Sequence, residues 1–103
     1  MTEAQYQKKV KLKVERMFPG CTVFKTDTAY AQGYPDLLVL YNDRWAALEV
    51  KISENASRQP NQDYYVKKFN AMSFAAYIYP ENEEEVLSAL QQAFGSPGRA
   101  RVS

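Results

Sequence analysis

The sequence predicts an α/β (α+β) domain in which a mixed four-stranded sheet is flanked by helices. Three observations predict it. Apolar residues recur at helical spacing in three separate stretches. Short runs rich in β-branched and aromatic residues lie between them. One of those runs, YPDLLVLYNDRWAALEVK from Tyr34 to Lys51, is broken only by Asn42-Asp43, a pair suited to a tight hairpin. The element order that results is α-β-β-β-α-β-α.

Thr2-Glu3-Ala4-Gln5 has the form of a capping box and opens a helix that must end before Pro19-Gly20, so a helix is expected from about Glu3 to Met17. On a helical wheel Tyr6, Val10, Val14, Met17 and Phe18 form its apolar stripe, with Glu3 and Gln7 turned toward the same side. Glu15 points away, beside Lys8 and Lys11, and reads as a surface residue. Cys21 to Thr26 reads as a strand with Cys21 buried, and Thr28 to Tyr34 as a loop holding Gln32-Gly33. After the hairpin, Ser53 to Gln59 is polar and turn-rich. A second helix starts at Pro60 or Asn61 and runs to about Met72, with Gln62, Tyr65, Phe69 and Met72 as its stripe. Phe74 to Tyr79 is an apolar strand. Asn82, with Glu85 three residues on, is expected to cap a last helix through Val86, Leu87, Leu90, Ala93 and Phe94, which Gly95 stops. A three-strand meander followed by a helix and a fourth strand implies that the second helix crosses over to lay the last strand parallel to a neighbour.

A chain of 103 residues is near the commonest size for one domain and can bury about two-thirds of its unfolded surface. One domain is expected over residues 1–94, with 95–103 as a flexible tail. The single cysteine cannot form an internal bridge, and no leader or long apolar run is visible, so a reducing cytoplasm and no membrane partner are expected. Histidine is absent, which removes Ser-His-Asp chemistry, Cys-His pairs and ordinary zinc sites. Carboxylates remain as metal ligands, and they favour Mg²⁺ or Mn²⁺. The formal net charge of +1 hides an uneven distribution: six Lys/Arg against three Asp/Glu in residues 1–30, and four glutamates in residues 81–85. The first helix carries Lys8, Lys9, Lys11, Lys13 and Arg16, a face that either meets phosphates or is simply solvated.

The hairpin holds the most specific signal. With Asn42 and Asp43 as loop residues, Tyr41 pairs with Arg44, Leu40 with Trp45, and paired numbers always sum to 85. Asp36 then faces Glu49, with Cβ atoms roughly 5 Å apart. Lys51 lies on the same face by the period-2 rule, while Leu48, Val50 and Ile52 point to the other, into a core. Like charges facing each other destabilise a sheet, and a divalent cation between them reverses the sign of that effect. The backbone carbonyl of Val50 is a further candidate oxygen ligand, and Glu3 could reach the metal directly or through water. Lys51 would orient the attacking water or stabilise charge on a phosphate.

These residues match a family. Gly33-Tyr34-Pro35-Asp36, then Glu49-Val50-Lys51, then Gln62-Asp63-Tyr64-Tyr65, resembles the PD-(D/E)xK nuclease superfamily. The Glu3 and Gln7 pair on helix one and the small size resemble more closely its stand-alone VRR-Nuc (virus-type replication-repair nuclease) domains, over about residues 3–80. The resemblance implies a restriction-endonuclease-like α-β-β-β-α-β core with an added C-terminal helix. It implies a Mg²⁺- or Mn²⁺-dependent DNA endonuclease leaving 5′-phosphate ends, similar to Holliday-junction resolvases, acting as a homodimer on branched DNA in replication, recombination or repair in a bacterial or phage-infected cell, with no nucleotide cofactor. By residue it implies Glu3, Asp36 and Glu49 as metal site, Lys51 as catalytic, and Gln62 and Tyr65 as groups that position phosphate or Lys51. Together with the reading of the residues themselves, the expected site is Glu3, Asp36, Glu49 and the Val50 carbonyl for metal, Asp36, Glu49, Lys51 and Gln62 for catalysis, and Gln7, Lys8, Lys11, Gln32 and Tyr65 for nucleic-acid contact. The chain departs from the pattern at Tyr34, where small or basic residues are common, and in lacking a strongly basic stretch after the Glu-x-Lys.

Bland readings stand beside these. Asp36 alone would be a strand-entry residue after Pro35, Glu49 a surface partner of Lys51, and Glu3 an ordinary first-turn acid favoured by the helix dipole. Tyr65 would be core packing, and Tyr30, Tyr34 and Tyr64 packing or rim residues rather than platforms for bases. Two other functions remain open: a monomeric nick or flap nuclease, and a non-catalytic module of nuclease-like fold.

Overall fold

A computed structural model describes residues 1–27 and 32–95; residues 28–31, including Tyr30, and 96–103, nearly all of the expected tail, lie outside the described residues. The elements follow the expected order: α1 (Glu3–Met17), β1 (Thr22–Lys25), β2 (Leu37–Tyr41), β3 (Arg44–Val50), α2 (Pro60–Met72), β4 (Phe74–Ile78) and α3 (Glu83–Phe94). Strand order in the sheet is β1-β2-β3-β4. β1, β2 and β3 form an antiparallel meander, and α2 crosses over so that β4 lies parallel to β3. The sheet is therefore mixed, as a β-β-β-α-β order requires.

Local chemistry sets the ends of these elements. Gln5 N–H donates to Thr2 Oγ1 at 3.1 Å and Thr2 N–H donates back to Gln5 Oε1 at 2.8 Å, the reciprocal cap read from Thr2-Glu3-Ala4-Gln5. Asn42 adopts φ 56°, a left-handed conformation that asparagine tolerates better than most residues, and so turns the chain in two residues. The hairpin register follows: Leu37↔Leu48, Leu38↔Ala47, Val39↔Ala46, Leu40↔Trp45 and Tyr41↔Arg44.

The core lies between one sheet face and the pair α1 and α3. Tyr6, Val10, Val14 and Phe18 from the first helical segment meet Val39, Leu48, Val50 and Ile78 of the sheet and Val86, Leu87, Leu90 and Phe94 of α3. Phe18, Tyr41 and Phe94 form a ring cluster with centroids 5.1 to 5.7 Å apart. The opposite face is covered over β3 and β4 by α2, which buries no residue completely. β3 is thus enclosed on both sides: Ala46, Leu48 and Val50 face the core, and Ala47, Glu49 and Lys51 are buried under α2.

Four local expectations change. Glu3 is exposed rather than turned inward, because a wheel gives direction and not depth; the buried stripe of α1 begins one turn later, at Tyr6. Met72 is 65% exposed, since it lies in the last turn of α2, beyond Phe69, whose ring meets Trp45 at 6.1 Å. Cys21 precedes β1 and is half-buried against the core. Asn82 stands at the start of α3 but does not cap it with its side chain. Its Oδ1 accepts from Tyr79 N–H at 2.9 Å and its Nδ2 donates to Tyr77 O at 3.1 Å, which ties the helix start back to the end of β4.

Candidate active site

Asp36 sits one residue before β2, where the sheet ladder changes character. On the β1 side the ladder continues, because Thr26 N–H donates to Asp36 O at 2.8 Å. On the β3 side it stops at Leu37↔Leu48. The next backbone-bonded pair would be Val50 with Pro35, and proline has no N–H to donate. The Pro35 carbonyl, for its part, accepts from the Thr26 hydroxyl at 2.7 Å. Val50 N–H donates instead to the Asp36 carboxylate, Oδ2, at 2.9 Å. The Val50 carbonyl lies on the same strand edge, where Pro35 offers no donor, while Lys51 N–H on the other edge donates to Ile78 O at 2.9 Å. The sequence Pro-Asp before a strand therefore aims one carboxylate and one backbone carbonyl at the same gap between β2 and β3.

Glu49 and Lys51 follow on β3, only 1% and 7% exposed. They are held from above by Gln62 in the first turn of α2. Gln62 Nε2 donates to Glu49 Oε2 at 3.1 Å, and Lys51 Nζ donates to Gln62 Oε1 at 3.0 Å. The same Oε1 accepts from Gln59 N–H at 2.9 Å, so the glutamine also closes the helix start. Lys51 Nζ lies 3.9 Å from Glu49 Oε2. Glu49 Oε1 is buried and has no hydrogen-bond partner among the described residues. Such an orphaned oxygen is rare in folded proteins and calls for an explanation. Burial, then the negative charge of Asp36 and a hydrogen bond to its carboxylate, push the Glu49 carboxyl up to about 8; Lys51 opposes the shift and Glu3 adds to it, so Glu49 is without that partner only once it has lost its proton.

A cleft of about 430 Å³ opens beside this group, with Asp36 and Gln62 among its walls. Gln32 and Gly33 form its rim, tied to α2 by Asn61 Nδ2, which donates to Gln32 O at 3.1 Å. Gly33 has φ +94°, and a Cβ there would lie 2.7 Å from Asn61 Cγ, so both backbone and space demand glycine. Tyr34 packs edge-on against Tyr65 at 4.6 Å and against Phe69 at 5.8 Å. Tyr65 is thereby a packing residue that anchors the loop before Asp36.

The structure brings Asp36, Glu49, the Val50 backbone, Lys51 and Gln62 together, with Gln32 at the rim. It leaves the α1 residues apart. Glu3 is exposed and acts on Glu49 only through its charge. Among the described residues no group of three or more His, Cys, Asp or Glu side chains is close enough to hold a metal, so the expected three-carboxylate set reduces to the pair Asp36 and Glu49. Gln7 is half-buried and Lys8 exposed. Lys11 is paired with Glu15 at 2.9 Å, which reduces its value for phosphate. Sequence reasoning missed Arg58, Asn61, Asp63 and Tyr77. Tyr77 pairs in register with Glu49 across β3 and β4, its hydroxyl donates to Asp63, and Arg58 lies over its ring at 4.0 Å. Asp63 stands beside Gln62 in the chain, which is the one signal that could have drawn notice.

With this geometry in view, comparison with solved structures is informative. A structure named as a VRR_NUC domain protein superposes with a TM-score of 0.66, over 90% of this chain and 88% of that one, at 22% sequence identity. This chain has the VRR_NUC fold. No family model and no curated protein matches the sequence. The likeness extends over nearly the whole length of both chains. No helix among the described residues is long and apolar enough to cross a membrane.

Proposed function

We propose that this protein is a metal-dependent deoxyribonuclease that hydrolyses phosphodiester bonds and leaves 5′-phosphate ends, acting on branched DNA. The observation that carries the reading is the buried, unpartnered Glu49 Oε1 facing Asp36, with Lys51 pinned beside it by Gln62. Facing carboxylates in a buried place repel each other and repel phosphate; a hard divalent cation removes both objections at once.

The residues present fit Mg²⁺ or Mn²⁺. Asp36, Glu49 through Oε1, and the Val50 carbonyl would hold it, and one or two carboxylates with substrate phosphate and water completing the set is usual for Mg²⁺. When bound, the cation supplies neutralisation of charge on the phosphoryl group and Lewis-acid polarisation. Glu49 must give up its proton to bind, and Gln62 keeps its other oxygen engaged so that only Oε1 is presented. Lys51, fixed by the Gln62 carbonyl oxygen, offers positive charge where negative charge develops on the phosphorane oxygens, and its placement before substrate arrives reduces the reorganisation the reaction needs. A small domain with one such site cuts two strands symmetrically only as a two-fold pair, so action on a four-way junction implies a homodimer.

The test is cleavage of labelled four-way junction, flap, nicked and linear duplex DNA with Mg²⁺ or Mn²⁺, beside Lys51→Ala. Paired symmetric cuts on the junction, lost in the variant, are expected. Activity confined to nicked or flap DNA would keep the site and replace the dimeric resolvase with a monomeric nuclease. No cleavage of any substrate would leave a nucleic-acid-binding module of nuclease-like fold.

A further inference from the structure

The carboxylate pair that suits a cation is hostile to a phosphodiester, so a strand entering the site needs a positive group that is already in place. Lys51 is buried and committed to Gln62, Lys11 to Glu15 and Lys13 to Glu83. Arg58 differs. It lies in the polar segment between β3 and α2, is exposed, and its guanidinium carbon sits 4.0 Å from the centre of the Tyr77 ring. No hydrogen bond or ion pair to a described residue engages its N–H groups, although Asp63 is bound to the same tyrosine. The cation is therefore positioned by a ring face, and no described residue occupies its hydrogen-bonding fork.

Its platform is joined to the carboxylate site by two independent links. Tyr77 is the register partner of Glu49 on the adjacent parallel strand, about 5 Å away, and their side chains share one sheet face. The Tyr77 hydroxyl donates to Asp63, the neighbour of the Gln62 that holds Glu49 and Lys51. Burial and the Asp63 bond both raise the pKa of the Tyr77 phenol, so the ring beneath Arg58 stays neutral. An exposed, stacked arginine whose donors no described residue takes suits two oxygens of one phosphate.

We propose that Arg58, held over the Tyr77 ring beside Glu49, grips a backbone phosphate of the nucleic-acid strand that enters the carboxylate site. This rests on the nuclease reading and adds to it the residue that anchors the substrate. Arg58 is a binding residue in this account, and Tyr77 and Asp63 position it.

The experiment measures affinity for a fluorescent duplex oligonucleotide in EDTA, so that no cleavage is involved, across about 50 to about 200 mM KCl. It compares the wild type with Arg58→Ala, Arg58→Lys, Tyr77→Phe and Tyr77→Leu. Loss of one phosphate contact lowers the slope of log affinity against log salt by about 0.9, so the wild type loses about 3.5-fold more affinity than Arg58→Ala over that range. Tyr77→Phe keeps the platform and the wild-type slope, whereas Tyr77→Leu resembles Arg58→Ala. Arg58→Lys, a point charge without the fork, binds more weakly than the wild type at every salt concentration but keeps its slope. In parallel, the Arg58 Nε–H resonance is followed during titration with inorganic phosphate and is expected to shift. An unchanged slope in Arg58→Ala overturns the proposal and leaves the nuclease reading standing. A wild type that binds no DNA overturns the proposal even if the Arg58 signal moves with phosphate, and the nuclease reading, which needs the cation, is then decided by cleavage with Mg²⁺ or Mn²⁺. No binding and no shift overturns the proposal alone.

Discussion

Glu49→Gln should stabilise the metal-free protein, and the gain should grow with pH. The folded carboxyl is pushed up to about 8 by burial and by Asp36, while an unperturbed glutamate titrates near 4.5. A folded pKa above the unfolded one means that the native state holds the proton more tightly. The stability it contributes is complete below about pH 4.5 and is lost as pH rises through about 8. Each pH unit in that window costs about 1.4 kcal/mol, so near pH 7 the unfolded chain gains on the order of 3 kcal/mol by ionising a glutamate that the native state still holds protonated. Glutamine keeps the shape and never ionises. For a domain of this size that difference corresponds to a gap of roughly 10 °C or more between the melting temperatures of variant and wild type. The assay is thermal unfolding in EDTA from about pH 5 to about pH 8.5. The wild-type curve should fall with pH relative to the variant, and millimolar Mg²⁺ or Mn²⁺ should raise the wild type but not Glu49→Gln, because a ligand bound only by the native state shifts its midpoint. Parallel melting curves for the two proteins across that range, with or without metal, would refute the account of Glu49 as a proton-holding, cation-ready group.

Other expectations follow from the same contacts. Gln62→Ala leaves a buried lysine without its acceptor and frees Glu49 Oε2, so it should cost about 1 to 3 kcal/mol in denaturant unfolding and reduce cleavage more than DNA affinity. Gly33→Ala meets both the φ of +94° and the Asn61 side chain; a loss of about 1 to 3 kcal/mol is expected, with Asn61→Ala restoring only part of it because the backbone strain remains. Tyr6→Phe removes the hydroxyl that donates to Glu83 at 2.8 Å. Burial raises the Glu83 carboxyl, but the Lys13 and Tyr6 hydrogen bonds outweigh it and hold it below its usual value. The stability contributed by Glu83 is therefore present above its unfolded pKa and lost as pH falls. Tyr6→Phe should flatten that acid-side loss in a pH series of melts.

Legibility from sequence tracked how local each constraint is. The hairpin register was readable because a two-residue loop at Asn42-Asp43 leaves one pairing, and period 2 then fixes which side chains share a face. The α1 cap was readable for the same reason, being a contact over three residues. Gln62 could be suspected because a polar residue on an apolar stripe needs a partner, and its partners are Glu49 and Lys51. The exposure of Glu3 could not be read, since how far α1 extends beyond its packing neighbours depends on tertiary placement. The Arg58, Asp63 and Tyr77 group was hidden for a deeper reason. Its members meet only through the parallel register of β3 with β4, and a crossover helix, unlike a tight turn, leaves that register free until the layers pack.

The candidate site is best understood as a controlled break in a sheet. A residue with a backbone N–H at position 35 could donate to the Val50 carbonyl and extend the β2–β3 ladder by another pair. Proline cannot donate to the Val50 carbonyl, and the aspartate next to it takes the Val50 amide. Glu49 then faces this opening from the central strand, buried on both faces because α2 covers the side that α1 and α3 do not. Burial alone would neutralise the glutamate by protonation. Gln62 fixes one carboxylate oxygen and leaves the other without a hydrogen-bond partner among the described residues, and that is the oxygen the proposed cation would take. The same segment order that builds the fold, strand, crossover helix, strand, also delivers Gln62 and Tyr77 to the two sides of Glu49. Fold and site are specified here by one set of contacts, and a change that slipped the β3–β4 register by one residue would remove Tyr77 from the site while leaving Asp36, Glu49 and Lys51 where they are.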